Sequence, residues 1–393
     1  MKIKLLLLLI ILLPLETVGR IKLITLPVRE RVEIQLDNTS ATLVEEERIV
    51  PLVKGSNQVD FSWANTSIDP SSVLFRLLPT RRGADVNAKV LSVSYPPNES
   101  SLVWSVGAET SGSARVRISY LLGGLEKSYH YRAVANREET TLQLAQYLRV
   151  KNNSNEEYGQ GEIWVGFGEQ LQRPIGLNET KDLLLKRHEK VSIHKRYSVD
   201  VTKYGYIDLP KKKLQVPMHY VLKNDSDHGL GRVALPFGKA RIFQRDGKGS
   251  TTFVGEDWGR FTPRDDEMEL YLGVARDIVV KRTVERNERK RVSGNLFDYE
   301  LVVKYEIENF KESAVRLDIS EQAAHLRQEL GLANRRGVQW QLGKESNIPG
   351  GLDKEMSDAE KLLFHVELAP QKKPDQARKQ IFRLHFIAKN EWR

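Results

Sequence analysis

The stretch that decides the fold is YELVVKYEIEN, residues 299–309. Large apolar side chains occupy every second position from Tyr299 to Ile307, and most of the intervening positions carry charged residues. Because successive side chains of a β-strand point to opposite faces, this period of two predicts a strand with one buried face. Gly294 and Asn295 precede the stretch and Asn309 ends it, so we expect a turn on either side.

The same alternation recurs along almost the whole chain, with turn-forming residues between the alternating segments. Clear examples lie at residues 32–36, 59–63, 116–120, 163–167, 197–201, 268–272, 315–319 and 362–368. Helical spacing is convincing only at residues 320–330 and weak at residues 180–188. The sequence therefore predicts an all-β protein made of two or three antiparallel, immunoglobulin-like β-sandwich domains.

Breaks in the alternating pattern suggest where these domains begin and end. The predicted segments are a leader at 1–19, an N-terminal β-sandwich at 20–123, a middle β domain at 124–205 and a C-terminal β region at 206–393. The pair Gly123-Gly124 forms the clearest junction, because it separates two strand-rich segments. A further division of the C-terminal region, if it has one, is expected near residue 295.

The first nineteen residues have the composition of a cleaved signal peptide. Lys2 and Lys4 precede an apolar run from Leu5 to Leu13, and small residues follow at Thr17 and Gly19. A membrane-spanning helix needs about 20 apolar residues, which is longer than this run, and no later stretch is long enough. The sequence therefore predicts an exported protein, periplasmic or extracellular, with no transmembrane segment after cleavage.

Charge and cysteine content narrow the classes of partner and chemistry. The formal net charge is +9, which becomes +8 once cleavage removes two lysines and one glutamate. In an exported protein such a charge favours anionic envelope polymers or protein partners, and we expect no role with nucleic acid. The chain has no cysteine, which excludes disulfides, thiolate metal sites and cysteine nucleophiles.

Motifs for catalysis or cofactor binding are absent from the sequence. Of the eight histidines only His188 and His194 lie close together, and on one strand they would be about 20 Å apart. No nucleophile elbow occurs, and the glycines of residues 247–249 are explained by a hairpin rather than by a phosphate-binding loop. We therefore predict no metal site, no cofactor and no catalytic residues, although a triad assembled from distant residues stays open.

The most polar local cluster lies between two predicted strands. It contains Glu256, Asp257 and Trp258, followed by Arg264. Adjacent carboxylates on a strand point to opposite faces, so Glu256 and Asp257 are not expected to flank one glycosidic bond. Trp258 is the best candidate for an exposed tryptophan, and loops on a rigid scaffold often carry binding residues. These four residues are the predicted ligand-contact loop, with an ordinary strand end and solvated turn as the alternative.

Residues 235–284 contain the series LPFGKARIFQRDG at 235–247, FVGE at 253–256 and MELYLGVARDI at 268–278. This series resembles the C-terminal β domain of unknown function found in mucoidy-inhibitor-like secreted proteins. The N-terminal region is also similar, through the turn at Gly55 and the step IDPSSV at 68–73. Many relatives carry a long coiled-coil hairpin between the two β regions, and that insertion is missing here. The resemblance implies an exported β protein and brings no catalytic residues.

Together these observations predict a non-enzymatic exported protein that binds or scaffolds components of the cell envelope. The alternative is a glycan-cleaving hydrolase whose carboxylates come from separate strands.

Overall fold

The structure is a computed structural model that describes residues 22–36, 41–79, 86–165, 170–333, 339–371, 373 and 376–392. Of the residues, 64% lie in strands and 3% in helices, so the all-β prediction is confirmed. The predicted signal peptide at residues 1–19 lies outside the described residues. Within the described residues, no helix is long and apolar enough to cross a membrane.

The described chain contains twenty-five strands and one short α-helix. In order they are β1 Lys22–Thr25, β2 Arg31–Gln35, β3 Thr42–Leu52, β4 Gly55–Ser62, β5 Leu74–Leu78, β6 Ala88–Ser94, β7 Ser101–Ala108, β8 Gly112–Leu122, β9 Leu125–Ala135, β10 Thr141–Asn152, β11 Tyr158–Trp164, β12 Gln170–Ile175 and β13 Thr180–Asp200. They continue with β14 Tyr206–Asp208, β15 Lys213–Leu214, β16 Pro217–Lys223, β17 Gly238–Arg245, β18 Thr251–Gly259, β19 Glu267–Val274, β20 Ile278–Ser293, β21 Leu296–Asn309, β22 Val315–Gln322, α1 Ala323–Glu329, β23 Trp340–Leu342, β24 Lys361–Leu368 and β25 Arg378–Trp392.

Contacts group the described residues into two compact units. The first comprises the chain through Ser128 together with Arg149–Leu183, and the second comprises Tyr129–Leu148 and Leu184–Arg393. The division into three consecutive segments, with junctions after residues 123 and 205, stays a prediction.

The first unit is a β-sandwich of two sheets. A four-stranded sheet has the order β1-β4-β7-β6, and a six-stranded sheet has the order β12-β11-β2-β3-β8-β5. Aromatic rings join the sheets across the core: Phe61 lies 5.8 Å from Tyr120, and Phe75 lies 4.6 Å from Trp104. Two of its strand pairs, β1–β4 and β2–β11, are parallel, whereas the alternation alone predicts antiparallel sheets.

Ion pairs cover the outer face of this six-stranded sheet. Arg31 on β2 donates to Glu162 on β11, and Arg115 and Arg117 on β8 both donate to Glu47 on β3. These pairs bridge neighbouring strands, where opposite charges on one face stabilise the pairing. The alternation of Glu and Arg at outward positions thus contributes to the sheet itself.

The second unit contains a ring of seven strands around its own core. The hydrogen-bonded order is β18-β17-β9-β10-β13-β16-β19, and β18 also lies against β19, which brings the two ends of the order together. Buried side chains from six of the seven strands, including Leu144, Tyr220, Ile242 and Leu270, form its interior, and β18 adds the partly buried Val254. The weakly helical pattern at residues 180–188 is wrong, because these residues belong to the long strand β13.

Beside the ring, the second unit contains a sandwich built on the stretch quoted first. That stretch forms β21, the centre of a six-stranded sheet with the order β14-β15-β20-β21-β25-β23. Leu301, Val303, Tyr305 and Ile307 are all fully buried, in a core shared with β22 and β24. The expected helix at residues 320–330 is confirmed only as the short α1, because β22 extends through Gln322.

Candidate functional site

Trp258 lies on the outer face of the strand ring, near the end of β18. It pairs with Lys239 on β17, whereas its neighbours Asp257 and Gly259 pair with Ala240 and Gly238. Ala240 is fully buried, so strand alternation turns Trp258 away from the core. The indole is 52% exposed, as the sequence predicts for this residue.

A second aromatic ring stacks against Trp258. Phe237 lies immediately before β17, and its ring is parallel to the indole within 5°, with the centroids 5.1 Å apart. Phe237 is 57% exposed, and the Lys239 ammonium lies 5.2 Å from the indole centroid. Two exposed flat rings beside a cation offer an apolar surface and a positive charge to a ligand. We call Phe237, Trp258, Lys239, Arg241 and Glu256 the aromatic face.

Glu256 serves as a bridge between the two basic residues of this face. Its carboxylate accepts hydrogen bonds from Lys239 at 2.7 Å and from Arg241 at 3.2 Å. These two hydrogen bonds, that of Lys239 foremost, hold the pKa of Glu256 below its ordinary value. A carboxyl held in its ionised form is unsuited to act as a general acid, so Glu256 positions the two basic side chains.

Asp257 has a different role, on the opposite side of β18. Its carboxylate accepts the backbone N–H of Tyr271 on β19 at 2.7 Å. This hydrogen bond satisfies a backbone donor where β18 and β19 meet, at the closure of the ring. The structure therefore places Glu256 and Asp257 on opposite faces, and Asp257 does not contribute to the aromatic face.

Arg264 lies outside the strand ladder that carries the other predicted residues. It is exposed in the turn between β18 and β19, next to Asp265, whose φ is 67°. That turn is fixed to Asn224 by two backbone hydrogen bonds. Of the four predicted residues, the structure thus brings Glu256 and Trp258 together on one face and leaves Asp257 and Arg264 off it.

Phe237, Lys239 and Arg241 were missed by the sequence reasoning, although a signal for them exists. Residues 237–243 read FGKARIF, in which large or basic residues alternate with Gly238 and Ala240. A Cβ on Gly238 would clash with the backbone carbonyl of Tyr129, so the small residues mark the inward side. The alternation therefore predicts that the aromatic and basic side chains of this strand face outward together.

A histidine held between two carboxylates is the other arrangement that resembles a catalytic site. His365 on β24 lies with Nδ1 2.6 Å from Asp318 and Nε2 2.7 Å from Asp353. Hydrogen bonds from the backbone N–H of Met356 and from His365 hold the pKa of Asp353 below its ordinary value. Because both ring nitrogens are engaged, this histidine joins the loop of Asp353 to the sheet and has no free nitrogen for a substrate proton.

Carboxylates in the interior are also engaged. Glu46, fully buried in the first unit, accepts from Arg29 and Arg48, and in the second unit Glu321 accepts from Arg282 at 2.6 Å. Among the described residues, no group of three or more His, Asp or Glu side chains is arranged to hold a metal ion. The aromatic face is therefore the site best equipped to contact a ligand.

No protein-family model matches the chain, and the search of curated proteins finds no match.

Proposed function

We propose that this protein is an exported, non-enzymatic binding protein that holds an anionic glycan on its aromatic face. The observation that carries the proposal is the exposed Phe237–Trp258 stack with Lys239 beside the indole. Flat rings contact the apolar faces of sugars, while Lys239 and Arg241 supply positive charge for carboxylate or sulfate groups.

Export and family membership belong to the same proposal. The leader at residues 1–19 and the basic net charge suit an envelope protein that meets anionic polymers. The resemblance to mucoidy-inhibitor-like secreted proteins is compatible with this role, and the missing coiled-coil hairpin means that the β domains alone would perform it.

Binding is tested with polygalacturonate, a polymer of acidic sugars, and with dextran as the neutral polymer. We expect polygalacturonate to bind and to be displaced by high salt, since part of the attraction is electrostatic. Replacing Trp258 with Ala should weaken binding about tenfold, which corresponds to about 1.4 kcal/mol. Affinity electrophoresis measures both effects.

Trp392→Ala is the matched control, because Trp392 is 68% exposed and lies on β25, away from the ladder of β17 and β18. Equal losses from Trp258→Ala and Trp392→Ala would contradict the assignment to the aromatic face. Release of reducing ends from the polymer, abolished by one carboxylate substitution, would instead support the hydrolase alternative.

A further inference from the structure

A short hairpin at the edge of the second unit combines exposed aliphatic side chains with lysines. The hairpin consists of β14 and β15, and β14 is the outermost strand of its six-stranded sheet. The turn between them contains Leu209, Pro210 and Lys211, and Lys212 ends it with a φ of 56°. No residue of this hairpin belongs to the aromatic face.

Two aliphatic side chains of the hairpin point into solvent. Tyr206 packs against the buried core, so the alternation of the strand turns Ile207 outward. Ile207 is 61% exposed and Leu209 is 57% exposed. Exposed aliphatic pairs at a sheet edge are costly for a free soluble surface, which makes them candidates for contact with another apolar phase.

Basic residues flank this apolar pair in the sequence. Residues 200–213 contain four lysines and two aspartates, which leaves an excess of positive charge. Lys211 pairs with Asp208 at 3.6 Å, and Asp200 accepts the backbone N–H groups of Thr202 and Lys203. Lys203 and Lys212 are exposed, and their ammonium groups lie 4.8 Å and 5.9 Å from the rings of neighbouring tyrosines.

We propose that this hairpin docks on a membrane surface of anionic phospholipid. Ile207 and Leu209 enter the boundary between head groups and acyl chains, and Lys203, Lys211 and Lys212 contact the lipid phosphates. An apolar tip with a basic rim is the arrangement by which peripheral proteins bind such surfaces. A glycan or a nucleic acid is a poorer fit, because aliphatic side chains offer no flat ring for stacking.

The size of the effect follows from the charges. Each lysine near an anionic membrane contributes about fivefold to the partition coefficient, so removing two should reduce binding about 25-fold. Loss of the two aliphatic side chains should reduce binding at least tenfold. High salt should reduce the loss caused by the lysine substitutions, because salt screens their charge. It should not reduce the loss caused by the aliphatic substitutions, because the apolar contribution is not screened.

The test is co-sedimentation of the purified protein with vesicles of phosphatidylglycerol and phosphatidylcholine in equal amounts. Vesicles of phosphatidylcholine alone are the neutral comparison. The variants are Ile207→Ser with Leu209→Ser, and Lys211→Gln with Lys212→Gln. Val292→Ser is the matched control, because Val292 is a 52% exposed aliphatic residue on the β20–β21 hairpin. Far-UV circular dichroism verifies that each variant is folded.

We expect binding only to the anionic vesicles, lost in both hairpin variants and retained in Val292→Ser. Equal binding to neutral vesicles, or unchanged binding by the Ile207→Ser, Leu209→Ser variant, would overturn the proposal. Loss of polygalacturonate binding in the hairpin variants would assign the hairpin to soluble polyanions instead. Trp258→Ala should leave vesicle binding intact, so this proposal and the glycan proposal fail independently.

Discussion

Arg282 is the residue whose replacement tests the packing of the second unit most directly. Its guanidinium is 1% exposed and donates to Glu321 at 2.6 and 3.2 Å and to Glu329 twice at 2.7 Å. Burial, the largest single influence, would lower the pKa of Arg282. The charge of Glu321, the hydrogen bonds to Glu329 and Glu321 and the nearby Tyr305 together outweigh burial and raise this pKa. The arginine is therefore always charged, and the two carboxylates depend on it.

Replacing Arg282 with Met should lower the free energy of unfolding by about 3–5 kcal/mol. The side chain of Glu321 is 2% exposed and, among the described residues, would keep the hydroxyl of Tyr305 as its hydrogen-bond donor. Glu329 is 22% exposed and can return to water, so most of the penalty falls on Glu321. Such a loss is a large fraction of the free energy of unfolding of a typical domain, which is about 5–15 kcal/mol.

The assay is urea unfolding monitored by hydrogen exchange of peptides from β21. Exchange of these peptides reports on the unfolding of this sandwich separately from the first unit. A loss of about 4 kcal/mol should lower the urea midpoint by about 2 M at a slope of about 2 kcal/mol/M. Adding Glu321→Gln to Arg282→Met should recover part of the loss, because the uncompensated charge is removed.

The matched control is Arg383→Met. Arg383 makes the same two-point contact with Glu285, at 2.7 and 3.2 Å, but at the surface. Its replacement should barely move the midpoint, since exposed ion pairs are screened by water. If Arg282→Met cost no more than Arg383→Met, the argument from burial would be refuted.

Three further predictions concern single positions. Gly343→Ala should destabilise the second unit, because the added Cβ would clash with the ring of His385, whereas Gly159→Ala meets no atom within 4 Å and serves as the control in thermal unfolding. Asn224→Ala should cost about 1–3 kcal/mol in urea unfolding, because the fully buried side-chain amide of Asn224 donates to three backbone carbonyls, those of Val233, Thr262 and Pro263. Burial would raise the pKa of Glu47, but Arg115 and Arg117 of β8 lower it below its ordinary value. The contribution of Glu47 to the free energy of unfolding is therefore complete above the ordinary pKa and is lost as the pH falls through the lowered pKa. Glu47→Gln should reduce the melting temperature at neutral pH, and the difference from the unmodified protein should vanish in acid.

The sequence could predict the class of fold because burial imposes a local signal. In β21 the alternation of Tyr299 through Ile307 is the direct consequence of one face packing on a core. Exposure of Trp258 and the opposed directions of Glu256 and Asp257 follow from the same rule, since they depend only on neighbours within one strand.

Pairing between distant strands leaves no comparable local signal. The ring closes where β18 meets β19, and β17 pairs in parallel with β9, more than a hundred residues earlier. Phe237 joins Trp258 only because this pairing and the hairpin set the register. Nearness in sequence groups Arg264 with Trp258, but the turn that carries Arg264 is bound to Asn224 instead. The register between two distant strands depends on the packing of the whole core. The sequence alone therefore does not predict which residues on different strands come together in one site.

Four asparagines show how this cysteine-free chain fixes its loops. Asn57, Asn152, Asn224 and Asn309 are all 0% exposed, and each side-chain amide donates hydrogen bonds to backbone carbonyls while its oxygen accepts a backbone N–H. Each of the four amides reaches at least one carbonyl in a segment distant in sequence; Asn309, for example, reaches Ala369. An amide buried in this way satisfies groups that a loop would otherwise leave unpaired, which ties loop to loop as a disulfide would. Asn152 and Asn224 begin Asn-x-Ser sequences, yet their amide nitrogens are fully engaged and buried, so these two positions are structural and closed to modification in the folded protein.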